Sequence, residues 1–406
     1  MKKLKPKAIL KQYMTEALAG AAGRAPSCPH FNECGGCEYQ DYAYAAQTAA
    51  KLAVWTRLAA EVGLELPAAE ITVSPREFGY RQRMDYVFAF AAAGLRQRRS
   101  FRRVVALQQC PLLGDAGFAA FRRARELAEE NGLSSHDFIK HNGFLRYFVV
   151  RRTRPGGVML SLVTYTREHA EAVEKIARAL LAEKLATSVY WLHNPGLADM
   201  SFGEPVQFWG EEYLTETYAG KRFFIGPNTF AQANPDVAEL AYQRIVRHNA
   251  GEKHVCDAYS GTGAIGELLA PHCEKITAVE NVPANVELAR LHAQANGAAN
   301  IENVLDDAQN FLTATARAVT ETGETPYSAI VVNPPRSGIG EKAAQALVTI
   351  GAPKLTYMSC NPQTLITDLK TLLPVYRAES VTLFDMFPQT HHWETLVLLD
   401  KRQPAN

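Results

Sequence analysis

The stretch VCDAYSGTGAIG, residues 255–266, decides how the second half of this chain folds. An apolar run, HVCDAY, breaks into glycines, and a helical pattern follows. Gly261, Gly263 and Gly266 satisfy GxGxxG directly after a strand. Glycines there let the backbone turn tightly and approach a ligand. The next strand, KITAVE, ends in Glu280, where a carboxylate holds a ribose. By itself the site suits a dinucleotide or S-adenosylmethionine (SAM), since both carry a ribose. Asp257, ahead of the first glycine, favours SAM.

Working outward, residues 226–406 alternate strands (HVCDAY, KITAVE, AIVVNPP, KLTYMSC, SVTLFDMF, TLVLLD) with helical stretches. That alternation predicts an α/β fold, a Rossmann-like doubly wound sheet. Residues 76–225 set short apolar runs such as YVFAFAAAGL and SVYWLHN between Gly and Pro breaks, which predicts a β-rich central domain, antiparallel with a few helices. Residues 1–75 hold a basic lead, a cysteine cluster and an Ala-rich helix closed by Gly63 and Pro67.

Hydrophobic residues make up 47% and charged residues 21%, as in an ordinary soluble protein. There is no apolar run long enough to span a membrane, and the basic lead MKKLKPKAILKQ lacks the apolar stretch of a signal peptide. A cytoplasmic protein is expected, with no obligate protein partner evident. The net charge of +1 hides an asymmetry: residues 1–160 carry 24 Lys/Arg against 14 Asp/Glu, and the remainder 19 against 28. The densest basic stretch is LRQRRSFRRVV, with Arg96, Arg98, Arg99, Arg102 and Arg103. Arginine pairs bidentately with phosphate, so this stripe points to nucleic acid. The seven cysteines, an odd number, argue against a disulfide framework.

Three strand ends carry polar groups locked by turns. Asn333-Pro334-Pro335 leaves one strand, Ser359-Cys360-Asn361-Pro362 leaves the next, and Glu394 opens the last. Open α/β sheets bind ligands at this carboxyl edge. Hydride transfer has no need of a nucleophilic thiol, whereas methylation of an unreactive pyrimidine carbon does. The chain therefore reads as a methyltransferase, with a nicotinamide enzyme as the rejected rival. Cys28, Cys34, Cys37 and Cys110 suit a thiolate-bound metal, and spacing alone does not separate zinc from iron–sulfur.

The motifs SCNPQTL, NPPRSGIG, DAYSGTGAIG and FDMFPQTHHWETLVLL resemble those of the SAM-dependent RNA uridine-5-methyltransferases. The likeness covers about residues 28 to 400. It implies that Cys360 is the nucleophile and Glu394 the group that takes the C5 proton. It implies SAM contacts from Gln232, Tyr259, Glu280 and Asn333, beside Asp257, Gly261 and Gly263. The spacing C-x5-C-x2-C with a distant Cys110 is similar to the family's iron–sulfur site, implying a [4Fe-4S] cluster on Cys28, Cys34, Cys37 and Cys110. Many members carry Asp at the place of Asn333. The Asn form, with 27 residues ahead of Cys28, resembles the branch that acts on 23S rRNA and lacks an N-terminal RNA-binding barrel. The expected product is 5-methyluridine in 23S rRNA. The same chemistry on a tRNA uridine, or a non-catalytic RNA-binding assembly factor, are the alternatives.

Overall fold

The computed structural model describes residues 6–403, so the first five residues of the basic lead lie outside it. The second half builds one eight-stranded sheet. Across it run Glu70–Thr72, Tyr376–Phe384, Glu394–Lys401, Lys354–Ser359, Ala329–Val332, His254–Ala258, Lys275–Glu280 and Ile301–Leu305. The last five are parallel neighbours, while Glu394–Lys401 runs antiparallel to both strands beside it. Every residue of Ala329–Val332 is buried, as expected for a parallel strand covered on both faces. The chain order reverses on either side of His254–Ala258. That switch point opens a crevice at the strands' carboxyl ends, and the glycine loop sits there.

The N-terminal region is built into this sheet. Helix Tyr44–Glu61 buries Val54, Trp55 and Leu58 in one cluster with Ile330, Val332, Leu355 and Tyr357. The chain then lays Glu70–Thr72 along the sheet edge, parallel to Thr382–Phe384.

The other sheet has seven strands: Val104–Ala106, Ala92–Arg96, Arg83–Ala89, Leu145–Arg152, Val158–Thr164, Ser188–His193 and Glu204–Gly210. Its neighbours are antiparallel, as expected, with one difference: Val158–Thr164 and Ser188–His193 are parallel. Parallel neighbours need a crossover, and helix Ala170–Ala182 supplies it. No helix among the described residues is long and apolar enough to cross a membrane.

Trp55 is 2% exposed, and its truncation leaves a large void beneath the catalytic-side sheet. Trp55→Ala is expected to lower stability by about 3–5 kcal/mol, read as a drop in the urea midpoint.

Candidate active site

One open cleft of about 1980 Å³ runs along the carboxyl edge of the eight-stranded sheet and on to the seven-stranded one. Gln232, Tyr259, Gly261, Glu280, Asn333, Cys360 and Glu394 all line it. The glycine loop owes its shape to three left-handed residues: Tyr259 at φ 64°, Gly261 at 57° and Gly263 at 81°. Glu280 ties that loop to the end of its own strand. Its carboxylate accepts from the Gly261 amide at 3.1 Å, the Val282 amide at 3.0 Å and the Asn285 side chain at 3.2 Å.

Asp257 and Gly263 stand behind the loop, outside the cleft lining. Asp257 is fully buried and accepts from the Gly266 amide at 3.1 Å. Burial pushes its carboxyl up to about 7, against the pull of that amide. A side chain on Gly263 would stand 3.0 Å from the Ala289 methyl, so glycine there permits close helix packing.

Asn333 leaves Ala329–Val332 into the loop of Pro334 and Pro335, and two bonds hold that loop's far end. Asp368 accepts from the Ile339 amide at 3.1 Å and from the Tyr357 hydroxyl at 2.6 Å. Asn361 donates to the Arg336 carbonyl at 2.9 Å, joining this loop to the turn that bears Cys360. Asn361 also caps helix Pro362–Leu372 by accepting from the Gln363 amide. The candidate nucleophile is thereby fixed between a strand end and a helix start.

Cys360 feels the charge of Glu394. Burial pushes the Cys360 thiol up to about 11, the Glu394 charge adds to the rise, and Arg336 opposes both. Glu394 is 4% exposed, and burial pushes its carboxyl up to about 8 with Arg336 again opposing. A carboxyl this high is a stronger base than an ordinary glutamate once ionised. Burial holds His392 down at about 3, so it stays neutral and suits a structural role.

Among the cleft residues that the sequence reading did not single out are Asp307, Arg81 and Phe387. Asp307 follows Ile301–Leu305 and caps helix Ala308–Thr322. The acidic pair Asp306-Asp307 after a strand was an available signal. The other two depend on how the two sheets meet, with the Arg81 guanidinium 6.0 Å from the Phe387 ring centre.

The basic stripe divides. Arg96 is engaged by Asp199 at 2.7 Å and by the Phe101 ring, and Arg98 by Asn32 and the Cys37 carbonyl. Arg99, Arg102 and Arg103 are exposed, and Arg99 reaches the cleft wall. Among the nearby aromatics Tyr80, Tyr86 and Phe88 are buried in the core, while Phe101 is 47% exposed.

Cys28, Cys34, Cys37 and Cys110 line one small pocket of about 20 Å³, room for roughly one water-sized body. Among the described residues no three His, Cys, Asp or Glu side chains stand in metal-ligating geometry. The donor chemistry nonetheless fits a thiolate-bound metal. All seven cysteines are free, and the Gly36 amide donates to the Cys34 sulfur at 3.4 Å. Any side chain on Gly35 would press within 3.0 Å of the Arg96 carbonyl, so Gly35-Gly36 keeps this cradle open. Burial raises all four thiols, Cys34 to about 11 and Cys37 to about 12, an apolar setting that a bound cation would reverse.

A Rossmann-like sheet with a glycine loop, a ribose-level carboxylate and a thiol–carboxyl pair at one edge defines a SAM-dependent methyltransferase acting on a base. Residues 164–402 match the family model described as tRNA (Uracil-5-)-methyltransferase. The tRNA (uracil(54)-C(5))-methyltransferase of Pyrococcus horikoshii is 32% identical over 373 residues, spanning 92% of this chain and 85% of that one. An uncharacterized RNA methyltransferase of Caldanaerobacter subterraneus subsp. tengcongensis is also 32% identical, over 388 residues, spanning 92% and 84%. The crystal structure of Pyrococcus abyssi tRNA (uracil-54, C5)-methyltransferase in complex with S-adenosyl-L-homocysteine superposes with a TM-score of 0.76 at 28% identity. It covers 90% of this chain and 86% of that one. The chain belongs to the tRNA (uracil-5-)-methyltransferase family and is a SAM-dependent RNA uracil-5 methyltransferase.

Glu280→Ala removes the acceptor that ties the glycine loop at the cleft wall. SAM affinity measured by calorimetry is expected to fall by about 10- to 100-fold, or ~1.5–3 kcal/mol.

Proposed function

We propose that this chain forms 5-methyluridine through a covalent adduct, with Cys360 as nucleophile and Glu394 as base. The observation that carries the reading is the convergence of Cys360, Glu394 and Arg336 in the cleft that also holds the glycine loop. Uracil C5 is a poor nucleophile. The Cys360 thiolate adds to C6, and the electron pair moves towards C5 as an enolate. C5 then takes the methyl group that SAM carries on its sulfonium. Glu394 removes the C5 proton, the C5–C6 double bond reforms, and the thiolate leaves. Arg336 favours the ionised form of both groups. Gln232, Tyr259, Asn333 and Glu280 hold the cofactor, and Asp257, Gly261 and Gly263 shape the loop against it.

For the substrate we favour a uridine of 23S rRNA, on the amide at Asn333 and the run NPPRSGIG. A second reading, a tRNA uridine, is favoured by the Pyrococcus relatives named for position 54. Both require a base taken out of its stack, and loops give up bases at low cost. Cys28, Cys34, Cys37 and Cys110 would hold a [4Fe-4S] cluster, which would staple residues 28–37 to the segment around Cys110. Zinc is the rival there, favoured by the narrow pocket, and iron and sulfide content after anaerobic purification separates the two. A cytoplasmic location accords with seven unpaired thiols.

The test is methyl transfer from labelled SAM to protein-free 23S rRNA and to unmodified tRNA in parallel. Product nucleosides are identified by mass spectrometry. 5-Methyluridine in rRNA is the expected result, label in tRNA alone selects the second reading, and Cys360→Ala is expected to abolish label in either. The sign of the pH dependence follows from Glu394, which must be ionised to take the proton. The single-turnover rate is expected to rise as pH passes through about 8. Arg336→Met removes the opposing cation, and that rise is expected to shift to higher pH.

A further inference from the structure

Glu394 opens its strand directly after residues 385–393, which connect Tyr376–Phe384 to Glu394–Lys401. Glu394 pairs with Phe384 across the hairpin, so where its carboxyl stands depends on that pair and on how the connection leading into it is held. Its tethers come from a distant part of the chain, residues 38–80. Lys51 donates to Asp385 at 2.5 Å, to the Phe387 carbonyl at 3.1 Å and to the His392 carbonyl at 2.9 Å. Gln47 makes a reciprocal pair with Gln389: its amide donates to the Gln389 side chain at 2.9 Å, and its oxygen accepts from the Gln389 amide at 3.0 Å. The Glu38 amide donates to the Gln389 carbonyl at 2.7 Å. The Glu38 carboxylate accepts from the His391 amide at 3.3 Å and pairs with its ring. Gln389 is fully buried and sits at φ 68°, a backbone state that a residue with a side chain adopts only when its surroundings hold it.

We propose that Glu38 and Gln47 are positioning residues for Glu394, acting on proton removal from C5 and not on adduct formation. Asn361, next to Cys360, is held by bonds to the Arg336 carbonyl and to the start of helix Pro362–Leu372, and where the Cys360 strand meets the last strand, at Ser359 and Thr395, the contact is backbone pairing that does not pass through residues 385–393. Loosening the connection leaves the nucleophile in place and moves only the base. In the affected step the C5–H bond breaks, its proton goes to the Glu394 carboxylate, and its electron pair passes into the C4 carbonyl as an enolate. That pair then forms the C5–C6 double bond as the Sγ–C6 bond breaks and the thiolate departs with the bonding pair. A displaced base stalls this step with the methylated ring still joined to Cys360. Because Glu38 follows Cys37, the cysteine pocket reaches the same step through one peptide bond.

The inference rests on the covalent reading of Cys360 and Glu394, and the experiment keeps the two apart. The full chain is mixed with SAM and an unmodified 23S rRNA transcript, or a tRNA transcript if that is the RNA that takes label. Samples are quenched in denaturant, and protein–RNA adduct is followed on a denaturing gel. Glu38→Ala and Gln47→Ala are expected to form adduct at the wild-type rate and to release it about 10- to 100-fold more slowly, so that adduct accumulates. Glu38→Gln keeps an acceptor for the His391 amide and is expected to accumulate less. Equal slowing of formation and release, or no accumulation in either alanine variant, overturns the proposal. An E38Q adduct level equal to that of E38A overturns it for Glu38 as well. Glu394→Gln is the control: if it too accumulates no adduct, the covalent reading falls and the inference falls with it.

Discussion

Lys51 and Asp385 meet at 2.5 Å with neither side chain exposed at all. A lone charge at such depth costs several kcal/mol, and an ion pair offsets this only when its geometry is good and its remaining donors are used. Here they are used, since the ammonium's other donors go to the Phe387 and His392 carbonyls. Burial depresses the Lys51 pKa while Asp385 draws it back up. The pair gives helix Tyr44–Glu61 one position against the last hairpin of the sheet. A purely apolar contact at that place would tolerate sliding, and this contact does not.

The same sheet edge solves two electrostatic problems with one residue. Burial makes both the Cys360 thiol and the Glu394 carboxyl harder to ionise, and the Glu394 charge adds to the burden on the thiol. Arg336 faces both, and the loop that carries it is anchored from below by Asp368 and from the side by Asn361. The cofactor side is arranged separately. Glu280 commits its carboxylate to the Gly261 amide as well as facing the cleft, so the glycine loop and the end of strand Lys275–Glu280 move as one. The cleft reaches Arg99 on its far wall, and the exposed Arg102 and Arg103 follow close by in sequence, a density of positive charge that suits a phosphate backbone.

The eight-stranded fold was legible because buried parallel strands and a glycine loop leave strong local marks. AIVV, KLTYM and VCDAY are short apolar runs that end in turn residues, and each is a strand in the structure. Six of the seven candidate residues that line the cleft do so for the same reason, since strand ends at a switch point converge by topology, while Gln232 reaches it from the loop ahead of helix Pro235–Asn249. What stayed hidden was long-range. Nothing in EIT marks Glu70–Thr72 as an edge strand of a sheet built from residues far downstream. The tethers from Glu38, Gln47 and Lys51 lie in a stretch that looks like an ordinary Ala-rich helix and its approach. The parallel pair in the central sheet was missed because a single βαβ crossover inside an antiparallel pattern has no distinct local period. The arginine stripe was visible as charge, but its division into engaged and exposed members depends on partners as remote as Asp199.

The pairing of Glu70–Thr72 with Thr382–Phe384 joins residues more than 300 positions apart. On a ribosome the segment made early must wait for the segment made almost last. Until then helix Tyr44–Glu61 has no Asp385 to neutralise Lys51, and its apolar face has only part of its eventual cover. A nascent chain stopped before residue 376 therefore holds the glycine loop and Cys360 yet lacks both the final hairpin and Glu394. The thiol is in the chain before the carboxyl proposed as its partner has been made. Such distant pairing folds slowly, and the unfinished molecule exposes surface that invites aggregation. The late closure also means that a truncated product has the cleft without its last wall.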